Sequence, residues 1–208
     1  MKKLLLILLC LPMIGFGQTY VPDDNFEAYL EANNMGNGIP NDDYVTTANI
    51  NTVNTLWIEM LNIADLTGIE DFTALTTFSC MMNQLTSLDV STNTALTYFK
   101  CNHNQLTSLD VSSNTALAHL DCGSNQLTSL DVSQNTALAN LGCWINQITS
   151  LDVSSNTALT FLACNENQLT FLDVRNGNNT NFTFFHASTN PNLYCISVDD
   201  STWATANW

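Results

Sequence analysis

Basic residues are nearly missing from this chain: four Lys and Arg stand against 19 Asp and Glu. Two of the four, Lys2 and Lys3, sit at the N-terminus, and the rest of the chain carries only Lys100 and Arg175. Phosphate backbones and anionic membrane surfaces both need a basic stripe on the protein, so nucleic acid and lipid headgroups are excluded as partners. Long apolar runs are missing too, apart from residues 4–11, which are too few to span a bilayer as a helix. Placed between two lysines and the small-residue pattern Gly15-Phe16-Gly17, that run reads as the core of a secretory signal peptide, residues 1–17, with cleavage expected near Gly17. Cys10 offers a lipid-modified alternative, but Leu9 stands where such a site wants a small residue. Cleavage would leave two basic residues against 19 acidic ones, a formal charge of −17 that keeps an exported chain soluble and favours cationic ligands or metal ions. Only 11% of residues are charged, so most outward positions must be filled by the abundant Asn, Thr and Ser.

What the chain has in excess is repetition. NQLTSLDV occurs at residues 83–90, 104–111 and 125–132, and it returns as NQITSLDV from Asn146 and NQLTFLDV from Asn167. The full unit has 21 residues, as in LTYFKCNHNQLTSLDVSSNTA from Leu96. A degenerate unit precedes from Val53, and a last one starts at Phe182 after a two-residue insertion, giving seven coils. Each unit also contains itself, a block of 10 followed by one of 11, with Asn83, Asn93, Asn104, Asn114, Asn125 and Asn135 marking the alternation. This predicts two short extended segments per coil, on opposite walls, each turning inward at an Asn whose amide serves backbone groups that the turn leaves unpaired. One coil has too few apolar side chains to offset the entropy of ordering it. Coils must therefore stack, joined by parallel backbone hydrogen bonds at roughly 4.8 Å per step.

The ends of such a stack need covers. In VPDDNFEAYLEANN, Asp24 precedes Glu27 by three residues, a capping-box-like arrangement, and Phe26, Tyr29 and Leu30 fall at helical spacing. An amphipathic helix closing the first coil is expected there. At the other end Leu193, Ile196, Val198 and Trp203 make a closing flap, with Trp203 and Trp208 read as cap packing. The organisation is thus a signal peptide (1–17), an N-terminal cap (18–52), a solenoid (53–192) and a C-terminal cap (193–208).

The pattern L-x-x-L-x-C-x-x-N-x-L resembles the leucine-rich repeat, with Cys at the third apolar position. Repeat, YVPDDNFEAYL opening and NPNLYCISVDD tail together resemble secreted bacterial leucine-rich-repeat proteins with 21-residue units. That resemblance implies a leucine-rich-repeat solenoid, β-rich with parallel stacked coils and an N-terminal helical cap. It also implies a cell-surface or released interaction scaffold, and it supplies no functional residues. Members often end in a sorting domain; the chain stops at Trp208 without one, so a missing C-terminal region is expected.

Three sets of side chains are candidates for chemistry. Cys80, Cys101, Cys122, Cys143 and Cys164 recur every 21 residues at an inward position. Stacked one coil apart, they are too distant for disulfides, and a single file cannot converge on zinc, so a buried ladder of free thiols is expected. Cys195 falls outside the register. His103, His119 and His186 lie on different coils without a nucleophile and an orienting acid beside them, and no hydrolase or phosphate-loop signature is present, so no enzyme activity is expected. Asp89, Asp110, Asp131, Asp152 and Asp173 form an outward ladder whose mutual repulsion should raise some of their pKa values or recruit Ca²⁺, with Ser87, Ser108 and Ser129 as further oxygens. No other cofactor is expected.

Because NQLTSLDV barely varies, specificity must come from the other segment. Its outward positions are Trp57, Glu59, Met60, Met81, Met82, Tyr98, Lys100, His103, His119, Asp121, Trp144, Ile145, Phe161, Glu166, Phe184 and His186. Exposed aromatics and methionines on a regular face are what binding surfaces are enriched in. The expected function is a secreted or cell-surface, noncatalytic, monomeric scaffold that binds a protein through this face. The runner-up is carbohydrate binding on Trp57, Tyr98, Trp144 and Phe161; the third reading is a passive surface spacer.

Overall fold

The computed structural model describes residues 17–208, so the expected signal peptide, apart from Gly17, and Cys10 lie outside the described residues. The chain opens with β1 (Gln18–Tyr20), α1 (Asp24–Ala32), β2 (Tyr44–Thr46) and α2 (Thr47–Ile50). β1 and β2 pair antiparallel, with Thr19 opposite Val45. The coils then contribute β3 (Thr55–Trp57), β4 (Thr77–Ser79), β5 (Tyr98–Lys100), β6 (His119–Asp121), β7 (Asn140–Gly142), β8 (Ser150–Asp152), β9 (Phe161–Ala163), β10 (Phe171–Asp173) and β11 (Phe184–His186). β12 (Ile196–Ser197) and α3 (Ser201–Asn207) close the chain.

Seven of these strands form one parallel sheet in the order β11-β9-β7-β6-β5-β4-β3. The 21-residue period fixes its register, since Tyr98 pairs with His119, His119 with Asn140 and Asn140 with Phe161. The central residue of each strand points inward. Phe78, Phe99, Leu120, Leu141 and Leu162 are fully buried and stack into one core with the leucines of the opposite wall.

The opposite wall differs from the expectation of a second extended segment in every coil. Among the described residues only β8, β10 and β12 form a ladder there. In the preceding coils the wall keeps single backbone rungs, such as Gln105 N–H to the Leu85 carbonyl and Gln126 N–H to the Leu106 carbonyl, both 2.8 Å. Thr107, Ser108, Thr128 and Ser129 are exposed there, so water can serve the remaining backbone groups and a full ladder is not obligatory.

Both Asn ladders form, with different bonding. Asn104 Oδ1 accepts from Leu85 N–H at 3.0 Å, while its amide donates to the Cys80 and Cys101 carbonyls at 3.1 and 3.0 Å. Asn114 donates to the Val90 and Asn93 carbonyls at 3.0 and 2.9 Å, but its buried Oδ1 has no partner among the described residues.

The N-terminal helix starts one residue earlier than expected, and the capping box does not form. Asp23, not Asp24, accepts from Asn25 and Phe26 N–H at 3.0 Å each, and its other oxygen holds Ala64 N–H at 2.7 Å. Glu27 is turned inward and accepts from Asp42 N–H at 3.1 Å rather than reaching back to the cap residue. Phe26 and Leu30 are buried, and Phe26 stacks on Phe72 at 6.2 Å between ring centroids. At the far end, the segment read as a flap contains a short helix, α3, capped by Asp200 through Thr202 and Trp203 N–H at 2.8 and 3.0 Å. Trp208 stacks on Phe185 of the last coil at 4.2 Å. No helix among the described residues is long and apolar enough to cross a membrane.

Candidate ligand-binding face

The strand wall presents two parallel rows of outward side chains. One runs Thr55, Thr77, Tyr98, His119, Asn140, Phe161, Phe184; the other runs Trp57, Ser79, Lys100, Asp121, Gly142, Ala163, His186. Of the residues read as a binding face, Trp57, Tyr98, Lys100, His119, Asp121, Phe161, Phe184 and His186 stand in these rows. Met60, Met82 and His103 do not. They occupy a column of left-handed turn residues (φ +59°, +57° and +56°) with Ser124, Ile145, Glu166 and Thr189, and so form a rim beside the strands. Trp144 comes just before that column and folds back over the preceding coil. A Cβ built on Gly123 would meet its indole at 2.3 Å, so glycine there makes the shelf on which the ring lies. His103 meets the same indole edge-on at 5.1 Å.

Rings in the first row stack on one another. Tyr98 and His119 are 4.3 Å apart and nearly parallel, Phe161 and Phe184 are 4.6 Å apart, and Trp57 tilts toward Tyr98 at 6.0 Å. Each stacked pair covers one face of each ring, and the row is interrupted at Asn140, between His119 and Phe161. Lys100 Nζ lies 5.4 Å from the Tyr98 ring centroid, and its pKa is raised by the Tyr98 side chain and, less strongly, by Asp121 and Glu59. Half-burial pushes the His119 imidazole down from its ordinary value, with the Lys100 charge adding to the effect and Asp121 opposing it. Its Nε2 is buried without a partner among the described residues.

Between these rows lies a depression of about 140 Å³, bounded by Lys100, His119, Asp121, Trp144 and Phe161, with Asn140, Gly142 and Ala163 along its floor. A search for large exposed side chains passes over Asn140, Gly142 and Ala163. For Gly142 and Ala163 the signal was two small residues in succession, because the other copies, Ser79 apart, carry Trp57, Lys100, Asp121 or His186 at that position.

The other candidates take structural places. Cys80, Cys101, Cys122, Cys143 and Cys164 are buried free thiols, while Cys195 is free and exposed. Burial raises the thiol pKa values, that of Cys164 to about 12, so none of the five is a nucleophile at neutral pH. The expectation that repulsion raises pKa values along the Asp ladder is overturned. Asp89 and Asp110 are lowered mainly by the side chains of Ser91 and Ser112, Asp131 by the backbone of Ser133, and Asp173 by Arg175. Each carboxylate accepts the backbone N–H two residues on, at 2.8 Å for Asp89, Asp110, Asp131 and Asp152 and 3.0 Å for Asp173. These short-range turns outweigh repulsion between exposed charges one coil apart. Asp173 also differs in being buried and paired with Arg175. Among the histidines, His186 Nε2 lies 2.7 Å from Ser188 Oγ, an exposed pair with no carboxylate hydrogen-bonded to the imidazole among the described residues.

Solved structures match this arrangement of stacked parallel coils. Over 86% of this chain and 56% of the other, an internalin from Listeria monocytogenes superposes with a TM-score of 0.68 at 20% identity. The fold is a leucine-rich-repeat solenoid. A leucine-rich-repeat protein from Leptospira interrogans matches 63% of this chain and 44% of its own length, with a TM-score of 0.51 at 20% identity. The leucine-rich-repeat ectodomain of a plant membrane receptor kinase from Arabidopsis thaliana, solved in complex with Casparian strip integrity factor 2, matches 65% and 20% respectively, with a TM-score of 0.54 at 18% identity. The chain thus spans little more than half the length of the first of these leucine-rich-repeat structures and less of the others. No protein-family model and no curated protein matches it.

Proposed function

We propose that this chain is an exported, noncatalytic recognition scaffold, displayed on or released from a bacterial surface, that binds a protein partner through the strand wall. The observation that carries the reading is the depression floored by Gly142 and Ala163 and edged by His119, Asp121, Trp144 and Phe161. Its volume of about 140 Å³ is below the roughly 300–1,000 Å³ of small-molecule sites and suits a single anchoring side chain of a partner. The surrounding aromatics are of the kind enriched in protein interfaces, with Lys100 and Asp121 beside them as polar rim. The receptor-kinase ectodomain of the same fold is itself solved in complex with a named factor, which supports the use of such a scaffold for recognition.

Carbohydrate binding is the second reading on this wall: Tyr98 and Phe161 each give one ring face to His119 and Phe184, which leaves at most one face of each for stacking onto a sugar. The test compares capture of purified extracellular-matrix and surface proteins, with a glycan array in parallel, by the native chain, by Ala163→Arg, and by Tyr98→Ala with Trp144→Ala. A protein held by the native chain and lost in both variants, at unchanged circular dichroism, is the expected result. Binding that survives both variants moves recognition off this wall, and retention of glycans alone replaces the reading with the carbohydrate one.

A further inference from the structure

Six carboxylates occupy the N-terminal cap: Asp23, Asp24, Glu27, Glu31, Asp42 and Asp43. Three have both oxygens engaged by N–H groups. Asp23 holds the first turn of α1 and Ala64, Glu31 accepts from Asn37 and Gly38 N–H at 2.7 and 3.1 Å, and Asp42 accepts from Tyr44 N–H at 3.1 Å and the Asn37 amide at 3.0 Å. The other three converge: one oxygen each from Asp24, Glu27 and Asp43 lies within 4.8 Å of the others. Glu27 is only 1% exposed, and its Oε2 is buried with no hydrogen-bond partner among the described residues. Residues 18–52 contain no Lys, Arg or His to balance it. A buried carboxylate oxygen without a donor is costly, and two further carboxylates beside it add repulsion. A bound cation removes both costs.

We propose that Asp24, Glu27 and Asp43 bind a calcium ion that ties α1 to the turn leading into β2. The donors are all hard oxygens, which suit Ca²⁺ or Mg²⁺ and not the nitrogen and sulfur preference of zinc. Calcium takes oxygens at about 2.3–2.6 Å, so ligands on opposite sides of one ion stand up to about 5 Å apart, and separations within 4.8 Å fit that sphere. Water completes the shell on the open side, where Asp24 is exposed. Glu27 already accepts from Asp42 N–H, so the ion would extend an existing contact between helix and turn.

The experiment titrates the purified, chelator-stripped chain with Ca²⁺ alone and Mg²⁺ alone, by calorimetry and by thermal melting. One Ca²⁺ per chain is expected, with a Kd of about 10⁻⁴–10⁻³ M as in extracellular modules, and a melting temperature that rises with Ca²⁺ because only the folded cap binds it. Asp24→Asn with Asp43→Asn, at exposed and half-buried positions, is expected to abolish both signals while the chain stays folded. Glu27→Gln should do the same, and the double variant carries the test if Glu27→Gln fails to fold. Asp110→Asn with Asp131→Asn, on the opposite wall, should leave both signals intact. No heat with Ca²⁺, a response that survives the cap double variant, or one lost in the wall variant overturns the site. An equal response to Mg²⁺ overturns the choice of ion.

Discussion

Asn104 and Asn114 mark the two turns of one coil and hold different numbers of backbone groups. The carbonyls that each one serves have a second donor, since Asn83 also donates to the Cys80 carbonyl and Leu96 N–H to the Asn93 carbonyl. Leu85 N–H, by contrast, has Asn104 Oδ1 as its acceptor. Asn104→Ala therefore orphans a buried N–H and Asn114→Ala does not. Chemical denaturation should find the former more damaging by about 1–3 kcal/mol, the cost of one buried unsatisfied group, and equal losses would refute this account. His119 sets a different expectation. Its pKa is lowered in the folded chain, so as pH falls below about 6.5 the unfolded chain takes up a proton first and stability drops. Melting temperature should be flat between about pH 7 and about pH 8 and begin to fall near pH 6.5, and His119→Phe, which keeps a ring against Tyr98, should remove that step. Above about pH 8.5 a further fall belongs to the five buried thiols, whose raised pKa values let the unfolded chain lose protons first. A separate loss below about pH 4 belongs to Asp89, Asp110, Asp131 and Asp173, whose lowered pKa values favour the folded chain until they are protonated. The inward Asn and Cys were legible from their spacing alone. The His119 shift was not, because it depends on burial in the stacked wall and on Lys100 from the neighbouring strand.

At the scale of the element, α1 was legible as a helix but not in its bonding. Phe26, Tyr29 and Leu30 at helical spacing located it, while Asp24 and Glu27 suggested a cap that in fact belongs to Asp23. The sequence offers two adjacent aspartates, and only the placement of Ala64 and Asp65 beside the helix start selects the first. Asp23→Ala should thus cost more than the roughly 1 kcal/mol of an ordinary N-cap, since it also cuts the tie between helix and first coil. Thermal melts of Asp23→Ala and Asp24→Ala in chelator check this; an equal or larger loss from Asp24→Ala would reverse the assignment. The strand wall follows the same division. The places of Tyr98, Lys100, His119 and Asp121 followed from the repeat, whereas the turn column that holds Met60, Met82 and His103, the stacking of Tyr98 on His119 and the shelf that Gly123 makes for Trp144 did not.

For the whole molecule, the 21-residue repeat means that each coil contacts its neighbours and little else. Deleting residues 117–137 removes one complete coil and joins Ala116 to Leu138, which restores the same junction. That chain should fold cooperatively with a somewhat lower melting temperature, whereas deleting ten residues from Leu117 should destroy cooperative melting, because it would carry every later strand to the opposite wall. Circular dichroism with melting distinguishes the two, and similar behaviour of both deletions would contradict the stack. The sequence by itself determined the period, the coil count and the inward ladders, because a repeat that must bury the same positions in every copy writes them at fixed spacing. The tertiary structure alone decided where small residues leave a depression between larger neighbours, which carboxylates are satisfied by backbone and which converge, and where the second wall forms a ladder. The depression and the second ladder depend on distances between residues about 20 apart in sequence, and the converging carboxylates on Asp43 meeting a helix that lies well before it in the chain; such distances exist only once the chain is folded.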